Sequence, residues 1–126
     1  MVHCRASHLD VGFLHTGILL EFRGFLDTSS APRTHRCLID AIESGDFVIV
    51  DLTEAESIDE SGLYALEAGL RESRALGRDF IIVAAPGSPI RRTLESTDVA
   101  FPGRMYDSLS GVLASLRPRA YAVASA

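Results

Sequence analysis

The sequence has no lysine, asparagine, glutamine or tryptophan, and only two cysteines in 126 residues. Cys4 and Cys37 are too few for a disulfide framework, so the default expectation is a reduced, cytoplasmic protein. No charged-then-apolar leader with a small-residue cleavage site is read at the start. The longest apolar runs, Phe80 to Pro86 and Gly17 to Leu20, fall far short of a membrane span, which excludes direct membrane insertion as an expectation. Positive charge is also scarce. Twelve basic residues, all arginine, face 17 acidic ones for a net charge of −5. Phosphate backbones and anionic membrane surfaces call for a basic stripe, so neither nucleic acid nor lipid is the expected partner.

The usual marks of chemistry are missing too. The chain has neither G-x-G-x-x-G nor G-x-x-x-x-G-K-[ST], the common phosphate cradles. The four histidines, His3, His8, His15 and His35, are scattered through the first third, and none follows Ser61, so the serine-acid-histidine order of α/β-hydrolases fails. Cys4 and His8 are spaced like two zinc ligands but have no second pair. The acidic run from Asp51 to Glu60 is no calcium loop, because Thr53, Ala55 and Glu56 stand where ligands and a glycine are needed. The expectation is a protein without catalysis, metal or cofactor of its own.

What is present is a foldable chain. Apolar residues make up 47% and charged residues 23%, the balance of one globular domain with its own core. Charge is segregated: between Cys37 and Leu70 there are nine acids and no base, and from Arg71 onward eight arginines and five acids. The ordinary reading is an acidic solvated face, and the sharper one is a surface for a basic partner.

The patterning alternates. Val2 to His8 reads as an edge strand and Gly17 to Arg23 as a second strand. Thr28-Ser29-Ser30 offers capping chemistry for a helix to about Ser44, with Pro32 tolerated in its first turn and Gly45 ending it. Phe47 to Leu52 and Phe80 to Ala84 are apolar runs of strand length, buried on both faces. From Ser61 to Leu76, Leu63, Leu66 and Leu70 form one stripe of a helix that Gly77 ends. Ser88-Pro89 opens a helix to about Ser96, Met105-Tyr106 is a short strand, and Ser108 caps a last helix to about Leu116. Strands alternating with helices predict an α/β domain over residues 1–116: a mixed, mostly parallel sheet of four to five strands with about four helices. Residues 117–126 read as a flexible tail.

The informative stretch is Phe47 to Leu70, in which a buried strand leads through an acidic loop to Asp59-Glu60-Ser61-Gly62 and an amphipathic helix. This is the carboxyl end of a strand, where α/β sheets place their sites. The plain reading of Ser61 is a helix N-cap. Gly62 weakens that reading slightly without displacing it, since glycine in a first turn costs helix stability and more often permits close backbone approach.

Ile58-Asp59-Glu60-Ser61-Gly62-Leu63, after a strand ending in Val50-Asp51-Leu52, resembles the D-S-S-G-L signature of the STAS family (sulfate transporter and anti-sigma factor antagonist). Gly24-Phe25-Leu26-Asp27 looks like the family's G-E-L-D, and Ser88-Pro89-Ile90-Arg91-Arg92-Thr93-Leu94-Glu95 like its S-P-x-V-R-R-x-L-E. The three motifs cover roughly Gly17 to Leu116. Two positions depart: Glu60 replaces the first serine of D-S-S-G, and Phe25 replaces the glutamate of G-E-L-D.

The resemblance implies a soluble bacterial anti-sigma factor antagonist working by partner switching. Its partner would be an anti-sigma factor with serine kinase activity. That partner would supply the phosphate from its own ATP to Ser61, breaking the complex, and a phosphatase would reset the serine. The implied partner surface is Asp27, Thr28, Ser29, Asp59, Glu60, Ser61, Gly62 and Leu63. Other members of the family imply two alternatives: a regulatory subunit of a membrane transporter such as a lipid ABC complex, or a stressosome-type scaffold subunit.

Overall fold

The computed structural model describes residues 2–10, 15–97 and 105–116. The expected tail, residues 117–126, lies outside the described residues. The sheet runs in the order β1 (Val2–Asp10), β2 (Thr16–Leu26), β3 (Phe47–Asp51), β5 (Asp79–Val83), β6 (Met105–Tyr106), and β4 (Ala55–Ile58) pairs with β2 beyond the end of β3. β1 runs antiparallel to β2, and the other pairings are parallel. β2 is the organising strand. Its first half, Gly17 to Glu21, pairs with β3, and its last residues, Gly24 to Leu26, pair with β4.

The alternation along β2 separates two cores. Ile18, Leu20, Phe22 and Leu26 point to one face and join Val48, Val50, Phe80 and Ile82 beneath three helices. These are α1 (Ala31–Ser44), α2 (Glu60–Ala75) and α3 (Pro89–Glu95). Leu19, Ile49, Ile81 and Val83 point the other way and meet Leu109, Val112 and Leu116 of α4, residues 109–116. α1 buries Thr34, Leu38, Ala41 and Ile42 at helical spacing. α2 buries a stripe that includes Gly62, Ala65 and Gly69, small residues that let it lie close to β2 and α1. Gly77, at φ +67, follows α2 in the left-handed conformation.

Two expectations need correction. The acidic loop before α2 contains a strand, β4, so among the described residues the sheet has six strands instead of four or five. Its four residues, Ala55-Glu56-Ser57-Ile58, are too short and too polar to register as a strand, and only the free edge left by β2 beyond β3 recruits them. The cysteines are also not a free pair: a disulfide joins Cys4 of β1 to Cys37 of α1, with Cα atoms 7.0 Å apart. Sequence spacing gives no hint of it, because the contact depends on α1 crossing back over the edge strand. Among the described residues, no helix is long and apolar enough to cross a membrane.

The core assignment makes a direct prediction. Leu66 is fully buried in the larger core, whereas Leu76 is 45% exposed. Leu66→Ala should cost about 2–5 kcal/mol and Leu76→Ala no more than about 0.5 kcal/mol in denaturant titrations of the two variants.

Candidate functional site

The site forms where β2 and β4 end and α2 begins. The Asp59 amide donates to the Leu26 carbonyl at 3.0 Å, tying the start of α2 to the last residue of β2. The approach is possible only because residue 62 is glycine. A Cβ there would collide with the Leu26 carbonyl oxygen, and would lie 2.8 Å from Ile58 Cγ1 and 2.9 Å from Leu26 Cβ.

Asp59 is the N-cap of α2, and its Oδ1 accepts from the Gly62 amide at 3.1 Å. Ser61 is therefore not the cap. It lies one residue inside the helix, half-buried, and its Oγ is 2.9 Å from Thr28 Oγ1. With the capping duty taken by Asp59, the Ser61 hydroxyl is held, among the described residues, by this side-chain partner.

Thr28 belongs to a turn that the sequence assigned to helix capping. Ser30 occupies the cap position of α1 but makes no side-chain cap bond. Its hydroxyl donates to the Phe25 carbonyl at 2.6 Å and accepts from the Asp27 amide at 2.9 Å. Asp27 Oδ1 accepts from the Ser29 hydroxyl at 2.8 Å and from the Ser30 amide at 3.1 Å. The Ser29 hydroxyl first, and the Ser30 amide second, hold the Asp27 carboxyl below the usual aspartate range. This closed turn presents Thr28 to Ser61.

Asp27, Thr28 and Ser29 in the turn after β2 thus adjoin Asp59, the cap of α2, and Glu60, Ser61 and Gly62 in its first turn, at one end of the sheet, with Gly62 buried. Leu63 differs: it is half-buried and packs against the larger core. Glu60 is exposed, and its carboxylate accepts from the Tyr64 hydroxyl at 2.8 Å, one turn along α2. That hydrogen bond, reinforced by the carboxylate charge, holds the Tyr64 phenol above its usual range.

Two exposed aromatic residues also stand here: sequence reasoning passed over Tyr64 and marked Phe25 only as a departure from G-E-L-D, without expecting its exposure. Tyr64 is 60% exposed and Phe25 44%. Both were open to detection: Tyr64 lies four residues after Glu60, and Phe25 falls on the odd-numbered face of β2 with Glu21 and Arg23. Phe25 shares a shallow hollow with His3, Arg23, Gly24, Glu54 and Glu56, where Arg23 pairs with Glu54 at 2.7 Å. Among the described residues there is no group of three or more histidines, cysteines or acids able to hold a metal.

The STAS domain family matches residues 11–111, and the chain belongs to that family. No curated protein matches it in sequence. The fold resembles an anti-sigma factor antagonist from Mycobacterium paratuberculosis at TM-score 0.74 and 21% identity, covering 93% of this chain and 95% of that one. It also resembles the anti-sigma factor antagonist SpoIIAA in its unphosphorylated form (TM-score 0.71, 16% identity, 92% and 97% covered). The phosphorylated form of the Bacillus cell fate determinant SpoIIAA matches at TM-score 0.69 and 16% identity, with 91% and 100% covered.

Two measurements check the site. Asp59→Ala should cost about 0.5–2 kcal/mol by loss of the cap, and Ser61→Ala less than about 1 kcal/mol; urea denaturation should give that order. Asp27 has a depressed folded-state pKa, so its contribution to stability is present above the ordinary aspartate value and lost as pH falls through the lower folded one. Carboxyl NMR titration should place its midpoint below that of an unperturbed aspartate, and Ser29→Ala should raise it.

Proposed function

We propose that this STAS domain is an anti-sigma factor antagonist. It binds an anti-sigma factor of the serine-kinase type, so releasing a sigma factor, and is switched off when that kinase transfers a phosphate from its own ATP to Ser61. The observation that carries this reading is the state of the Ser61 hydroxyl. It sits in the first turn of α2, relieved of capping by Asp59 and held 2.9 Å from Thr28 Oγ1. The fold likeness to SpoIIAA, an anti-sigma factor antagonist with an unphosphorylated and a phosphorylated form, lends support.

The energetics fit a switch that acts on binding and not on folding. Phosphoserine carries about −1.5 to −2 charge at neutral pH. At a helix N-terminus the dipole favours an anion by about 0.3–1 kcal/mol, so the domain tolerates the group. The same charge arrives beside exposed Asp59 and Glu60 on the docking surface, where repulsion and desolvation oppose a partner. Each tenfold loss of affinity requires only about 1.4 kcal/mol. Asp27, Thr28 and Ser29 complete that surface with Asp59, Glu60, Ser61 and half-buried Leu63, while buried Gly62 seats the helix behind it. The chain has no turnover of its own: Ser61 is a substrate, a phosphatase resets it, and the exchange takes place in the cytoplasm with the sigma factor.

Ser61→Ala should fold, resist phosphorylation and hold an ATP-binding anti-sigma factor from the same genome permanently. Ser61→Asp should fold equally well and bind at least tenfold more weakly. Calorimetric titration of both variants, with their melting temperatures, checks this. Equal affinity of the two folded variants would remove Ser61 as the switch.

A further inference from the structure

Cys4 and Cys37 are the only cysteines in the chain, so no rival pairing exists within it. Cys4 lies on the edge strand β1 and Cys37 in the middle of α1, both half-buried at the rim of the larger core. They are neither sealed in the interior nor projected into solvent, a setting in which a small reagent reaches the sulfurs and the protein holds them together. We propose that Cys4 and Cys37 form a reversible redox-modification site, a clasp whose two-electron oxidation by hydrogen peroxide fastens β1 to α1.

The chemistry balances with peroxide as the only co-reactant. One thiolate attacks a peroxide oxygen; the S–O bond forms, the O–O bond breaks and, with the thiol's proton, water departs. The second thiolate attacks the resulting sulfenic acid; the S–S bond forms, the S–O bond breaks and a second water departs. The two sulfurs give up two electrons, and peroxide takes them. A dithiol reductant reverses the bond by thiol–disulfide exchange, returning both protons and becoming a disulfide itself.

The placement gives the bond mechanical leverage. β1 is an edge strand, held by its ladder to β2 and by one deeply buried core side chain, Val2. The disulfide adds a covalent link to a second element. It spans a sequence separation of 33 residues, and the enclosed segment contains all of β2 and the Asp27–Ser30 turn that holds Thr28 against Ser61. Oxidation restricts the unfolded chain across that whole segment, and reduction releases β1 to open away from β2. This inference does not rest on the partner reading, and the isolated chain tests it.

The test compares the full chain treated with equimolar hydrogen peroxide against the same chain in dithiothreitol, by non-denaturing thiol-free mass measurement, thermal melting and amide exchange. The expected result is a monomer that loses two hydrogens on oxidation, melts about 10 °C higher and shows slower exchange along β1. Dithiothreitol should reverse all three without denaturant. C4S and C37S should respond to neither reagent in this way and should melt with the reduced wild type. Gain of oxygen without loss of two hydrogens, disulfide-linked dimers, a bond reducible only after unfolding, or equal melting of the two wild-type states would overturn the proposal. The wild-type comparison decides even if neither serine variant folds.

Discussion

The close approach of α2 to the end of β2 is the constraint on which the site depends. The helix can start there only with glycine at position 62, because the Leu26 carbonyl occupies the space a Cβ would need. Once α2 is seated, the Asp59 amide bonds to Leu26 and its carboxylate turns back to cap the helix. Ser61 is then carried to Thr28, on the loop that leaves the same β2 residue. A larger residue at 62 would move the helix origin, and the pairing of the two hydroxyls would go with it. The glycine therefore acts on position as well as on backbone freedom.

Much of this was legible in the chain. The runs 47–50 and 80–83 are buried on both faces, so unbroken apolar composition marks them without any need for alternation. Ser88 followed by Pro89 marks the start of α3, where the serine hydroxyl accepts from the Arg91 amide at 3.1 Å. Local signals were weakest where tertiary pairing decides. β4 exists because β2 outruns β3, a fact no four-residue window contains. The capping of α2 was misread for a related reason: Asp59 and Ser61 are both good caps, and the choice between them is made by where Leu26 anchors the chain. The disulfide needs the path of α1 over β1, which lies in the fold alone.

The acidic middle of the sequence also resolves into separate local roles. Asp46 accepts from the Thr16 amide at 2.9 Å and fixes the start of β2. Asp51, nearly buried at the end of β3, accepts from the Thr53 amide and turns the chain toward β4. Glu54 meets Arg23, and Glu67 meets Arg71 one helical turn on. These exposed pairs contribute little to stability, since water screens them. The end of the sheet at the site carries the carboxylates of Asp27, Asp59 and Glu60, with Glu60 turned toward Tyr64.

The contact between Thr28 and Ser61 has a property that a contact between unlike groups lacks. Each hydroxyl can give or receive the proton, so the bond has two senses of direction and the pair can switch between them without moving a heavy atom. Whichever oxygen receives keeps its own hydrogen free for a neighbour, so the pair always offers one unspent donor. Esterification of the Ser61 oxygen would abolish that symmetry. Ser61 would then have no proton to give, Thr28 would become the sole donor, and a two-way contact would become a fixed one pointing from β2 toward the helix.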